Sequence, residues 1–111
     1  MYVVTPDHQG RAHEDDGSVT VSGTYQCDGR VSELVVNVTQ AFGGGTIRTS
    51  MHVTNLRCDG SPHSWSVNDG PFDGSFLPGP ATVRATLTDN AGPAGQQTLT
   101  ESTTTVELSR A

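Results

Sequence analysis

Apolar and polar residues alternate along most of the chain, and the alternation restarts at regular intervals. From Ser18 onward, Val19, Val21, Gly23, Tyr25 and Cys27 fall on one side of an extended chain, and Thr20, Ser22, Thr24 and Gln26 fall on the other. A period of two marks a strand with one buried face. The rhythm returns in 33–41 with Leu34, Val36 and Val38, and in 46–57 with Ile47, Thr49, Met51 and Val53. It returns again in His63, Trp65 and Val67, in Ala81, Val83, Ala85 and Leu87, and in a last strand from about Gln97 to Leu108. Val3 and Val4 open a short first strand that Pro6 ends, and the polar, acidic stretch 7–17 predicts a loop.

Turn-forming residues separate these runs: Asp28-Gly29, Gly43-Gly44-Gly45, Asp59-Gly60, the Gly- and Pro-rich 69–80, and Asp89 to Gly95. Asp-Gly is favoured where a hairpin needs positive φ, so the two Asp-Gly steps predict two similar hairpin corners. No 3.6-residue apolar stripe appears. About seven strands with frequent turns predict an all-β fold, an immunoglobulin-like β-sandwich. One domain of 1–111 is expected, with an N-terminal strand and acidic loop in 1–16 and the core sandwich in 17–108.

Composition sharpens this picture in two ways. Apolar residues make up only 32% of the chain and charged residues 16%, so Thr, Ser and Gly supply the polar faces and turns. Twelve acids against six bases give a formal net charge of −6, the wrong sign for a nucleic-acid partner or an anionic membrane surface. All six bases are Arg, at 11, 30, 48, 57, 84 and 110, a Lys-free usage that points to a high-GC bacterial genome. No stretch is long and apolar enough for a membrane span, so membrane insertion is not expected. Tyr2-Val3-Val4 is too short for a signal-peptide core. Met1 is then either an initiator placed on a mature chain whose leader has been removed or the natural start of the protein.

Cys27 and Cys58 each end an alternating run, and each precedes Asp-Gly. A disulfide between them closes a loop of about 30 residues and contributes roughly 3–4 kcal/mol in the chain-entropy model. That bridge is expected, and with it a secreted or cell-surface location; two buried thiols in a cytosolic protein is the competing reading. Neither Cys belongs to a Cys-x-x-Cys pair or is closely followed by His, which argues against zinc.

The stretch from Phe76-Leu77-Pro78-Gly79-Pro80 through Ala81-Thr82-Val83-Arg84-Ala85 to Asp89-Asn90-Ala91-Gly92 resembles the penultimate strand of bacterial immunoglobulin-like domains. Ala81 stands where those domains usually carry an aromatic. Together with Gly23-Thr24-Tyr25-Gln26-Cys27 and Cys58-Asp59-Gly60-Ser61-Pro62-His63-Ser64-Trp65, it resembles small secreted actinobacterial proteins of unknown function. The resemblance spans 17 to about 108. It implies the fold and export and brings no active site.

Candidate chemistry is sparse. No Gly-x-Ser-x-Gly elbow accompanies the Ser, His and Asp residues, so no catalytic residue is assigned and no enzyme is expected. His8 and His13 lie among Asp7, Glu14, Asp15 and Asp16, but the spacing fits no cation loop; a solvated acidic loop is the favoured reading, with no metal and no cofactor. Asn37-Val38-Thr39 matches a glycosylation acceptor inside a strand. Tyr25 and Trp65 form an aromatic platform for sugar or, as their faces favour, part of the core. Phe72, Phe76 and Leu77 in the Gly/Pro loop either plug one end of the sandwich, the favoured reading, or present a partner-binding patch.

The leading expectation is a non-catalytic extracellular module that binds a protein or glycan or acts as a spacer. The alternative is a structural subunit of a surface filament or virion coat, self-associating through edge strands such as Thr98–Val106 or Val3-Val4.

Overall fold

A computed structural model describes every residue except Phe72. The chain is all-β, with eight strands among the described residues: β1 (Tyr2–Pro6), β2 (Gln9–Ala12), β3 (Val19–Cys27), β4 (Glu33–Phe42), β5 (Gly45–Val53), β6 (His63–Asp69), β7 (Gly79–Gly92) and β8 (Gly95–Arg110). One group of pairings joins β6 and β1 to opposite edges of β3, all antiparallel. A second runs β5-β4-β7-β8, also antiparallel. The short strand β2 belongs to both groups, antiparallel to β3 through Arg11↔Thr20 and parallel to β8 through Gln9↔Glu107. The architecture is consistent with a β-sandwich closed along one side by β1 and β2.

The core follows the sequence rhythm. Val19, Val21, Tyr25 and Cys27 of β3 and Trp65 of β6 meet Leu34, Val36 and Val38 of β4, Ala81, Val83, Ala85 and Leu87 of β7, and Val106 and Leu108 of β8. Their burial supplies the main driving force, at about 25 cal/mol per Å² of apolar surface. Thr, Ser and Gly elsewhere satisfy the ladders without contributing to it.

Three local expectations are corrected. The stretch 7–17 is not all loop, because Gln9–Ala12 is a strand. Its only inward side chain of note is Ala12, fully buried, so it carries no apolar rhythm to announce it. Gly10 is required there: a Cβ at that position would sit 2.9 Å from the Thr20 carbonyl oxygen and 2.9 Å from Leu108 Cδ2. The Asp-Gly steps are not hairpin corners. β3 and β4 pair with different partners, as do β5 and β6, so both links cross between the two groups. Gly60 does have positive φ, at 82°, but Gly29 is not among the positive-φ residues; a Cβ on it would run into the Tyr2 hydroxyl. Finally, β5 ends at Val53 rather than Arg57, where Asn55 turns through φ 59°.

Candidate functional site

Cys27 and Cys58 form the expected disulfide, with Cα atoms 4.5 Å apart. Cys27 is the fully buried end of β3, and Cys58 lies in the link from β5 to β6. The bridge therefore ties one strand group to the segment that has just left the other. The same corner holds Tyr25, whose hydroxyl accepts a hydrogen bond from the Arg57 amide at 3.0 Å. Asp59 accepts from His63 Nε2 at 2.8 Å and from the Ser61 amide at 3.0 Å, and these bonds hold its carboxyl below the ordinary aspartate range.

The aromatic pair offers no open platform. Trp65 and Tyr25 are buried in the core, and the Trp65 indole N–H donates to the Thr24 carbonyl at 3.1 Å. A polar handle satisfied inside the fold is the usual state of a core tryptophan.

The Gly/Pro loop separates into unlike parts. Phe76 is fully buried, whereas Leu77 is exposed; Phe72 lies outside the described residues. The segment is held by Gln40, an unexpected residue on the inward face of β4. Its amide nitrogen donates to the Leu77 carbonyl at 2.8 Å and the Pro80 carbonyl at 3.3 Å, and its oxygen accepts from the Leu77 amide at 2.9 Å. The signal was present in the sequence: the rhythm Leu34, Val36, Val38 places position 40 on the buried side, and a buried amide requires partners.

The acidic N-terminal stretch serves local structure. His13 Nε2 meets Thr20 Oγ1 at 2.7 Å, Glu14 pairs with Arg110 at 2.8 Å, and Asp16 caps the turn into Ser18. The Asp16 carboxyl is lowered by the hydrogen bonds from Ser18. Among the described residues no group of three His, Cys, Asp or Glu side chains converges on a metal position.

Concave surface occurs in two informative places. A wide groove runs between the edges of β5 and β6 past Met51, Val53 and Val67. The other lies on the outer face of the four-stranded group. There the register aligns Ser50, Asn37, Arg84 and Thr103 in one row and His52, Val35, Thr86 and Glu101 in the next. Such a face should be flat and its threonines exposed. Yet Thr86 is only 8% exposed and Thr88 2%. The register of β7 against β8 shifts between Leu87 and Thr88 and again between Asp89 and Gly92. Bulges of this kind bend and twist a ribbon, and here Gln96 and Thr98 come to line the same hollow as Thr88, a space of about 210 Å³. Arg84 borders it at one end without an ion pair among the described residues, while the Glu101 carboxylate accepts from the Thr86 hydroxyl at 3.2 Å. Sequence reading passes over this hollow because it treats Thr86 and Thr88 as ordinary solvent-face residues.

A protein-family model described as a family of unknown function, DUF6299, matches residues 2–107, and the chain belongs to that family. No curated protein and no solved structure gives a significant match.

Proposed function

We propose that the chain is a non-catalytic, extracellular module of immunoglobulin-like type that binds a protein or glycan or acts as a spacer. The observation that carries the reading is the bridge between Cys27 and Cys58, since such a pair persists as a disulfide in oxidising compartments. The immunoglobulin-like type is supported by the N-terminal strands, β1 antiparallel to β3 and β2 bridging from β3 to lie parallel to β8. The Lys-free base content supports a bacterial, high-GC source.

The test is made on protein from its native source. Thiol alkylation and mass spectrometry should find both sulfurs oxidised and the protein outside the cytoplasm, with no turnover of ester, glycoside or phosphate substrates. Reduced thiols in a cytoplasmic pool, or turnover, would overturn it. The edge of β5 supports a second reading as an assembling subunit: nine residues with no proline and a single Arg leave a ladder open to another strand. Light scattering at rising concentration distinguishes the two, because ordered polymers appear only if the edge assembles.

A further inference from the structure

We infer that the hollow on the outer face of β4, β7 and β8 is a saccharide site that takes one neutral pyranose unit. The inference deepens the module reading and rests on it. A polar strand face in a Thr-rich sheet ordinarily offers scattered, hydrated side chains. This one is hollowed into an open depression, with Thr86 and Thr88 packed into its floor and a rim built by the bulged β7–β8 ribbon.

The charge pattern selects the ligand class. Arg84 stands toward one end of the hollow and Glu101 is on the neighbouring strand one row away, close enough to face one ligand yet not paired with each other. An anionic group drawn to Arg84 meets the Glu101 carboxylate, and a cation drawn to Glu101 meets the guanidinium. An uncharged ring with adjacent hydroxyls satisfies both, since each hydroxyl donates and accepts. The Asn37 and Gln96 amides add a donor and an acceptor each, and half-buried Val35 supplies a small apolar surface for the C–H face of the ring. With no aromatic ring in the lining among the described residues, the binding energy is carried by hydrogen bonds, several of them charge-assisted. A single unit then binds at about millimolar strength, and useful affinity in a glycan comes from repetition.

The experiment is a titration of the isotopically labelled full chain with glucose, galactose, mannose and N-acetylglucosamine, each followed by amide nuclear magnetic resonance, with glucuronate as the charged control. At least one neutral sugar should move the side-chain amides of Asn37 and Gln96 and the backbone of 84–88, and glucuronate should bind more weakly. Arg84→Ala should weaken binding about tenfold or more, with Arg84→Lys intermediate because it loses the forked donor pair. Both changes are on an exposed side chain, and an unchanged spectrum away from the hollow certifies the fold. Silence from all four sugars, or binding unaltered in Arg84→Ala, overturns the site. Shifts confined to another surface also overturn it while leaving the module reading intact; that reading fails instead on turnover or a reduced cytoplasmic pool.

Discussion

Removing the disulfide tests the mechanical logic of the fold most directly. Cys27 and Cys58 are 31 positions apart, and the bridge closes a long loop containing β4 and β5. In the chain-entropy model, a loop of that length removes about 12 cal/mol/K from the unfolded ensemble, or ~3.7 kcal/mol at 25 °C. Stability for a chain of 111 residues is roughly 6–17 kcal/mol, so the bridge is a large share of it. At about 2.1 cal/mol/K per residue, the midpoint should fall by roughly 16 °C. The perturbation is the double variant Cys27→Ala/Cys58→Ala, which leaves no unpaired thiol. Urea unfolding is followed by fluorescence of the buried Trp65. The midpoint should drop and the denaturant slope should rise, because an uncrosslinked chain exposes more surface. Reduced wild-type protein should behave alike, which separates loss of the crosslink from the small void left at the buried Cys27. A loss below about 1 kcal/mol, or a slope that does not change, would refute the account of the bridge as a constraint on the unfolded chain.

Other outcomes follow from single contacts. Phe76→Ala should cost about 3–5 kcal/mol in urea unfolding, while Leu77→Ser, one residue on but exposed, should stay within about 0.5 kcal/mol; equal effects would contradict the plug. Gln40→Leu should cost about 2 kcal/mol, because it removes the three bonds that hold Leu77 and Pro80, and should raise amide exchange at Leu77. A neutral effect on both readouts would remove the clamp. Stability should also fall in acid. The Asp16, Asp59 and Asp89 carboxyls lie below their unfolded values, Asp89 through the Ala91 amide first and Arg30 second. Their contribution is therefore complete above the unfolded pKa of about 3.9 and disappears as pH falls through the folded values. The combined variant Asp59→Asn/Asp89→Asn should show a flatter acid limb; an equally steep one would reject this assignment.

The parts of this fold that were legible in the sequence are those whose inward positions are apolar in strict alternation. β3, β4 and β7 could be read because Val21, Val36 and Val83 each sit two residues from another buried apolar side chain. β2 escaped because its inward positions are Gly10 and Ala12, residues chosen for closeness rather than for buried area. The same distinction explains Asp28-Gly29. Turn chemistry reports that the chain bends, but whether the next strand pairs locally or crosses the core depends on which partner gains most from it, and β4 gains β5 and β7.

The candidate site illustrates a different limit. Thr86 and Thr88 occupy polar positions by parity, and nothing local marks them as buried. Thr88 stands at a register shift against β8, and Thr86 lies in regular register opposite Glu101, whose carboxylate its hydroxyl meets; burial by a facing strand is a property of two strands together and of neither alone. A polar face gains depth where a ribbon departs from regular pairing, and such a departure leaves ladder groups that side chains or water must satisfy. The hollow joins the two kinds of position: Gln96 and Thr98 come from the irregular stretch of the ribbon, and Asn37, Arg84 and Glu101 from the regularly paired strands beside it.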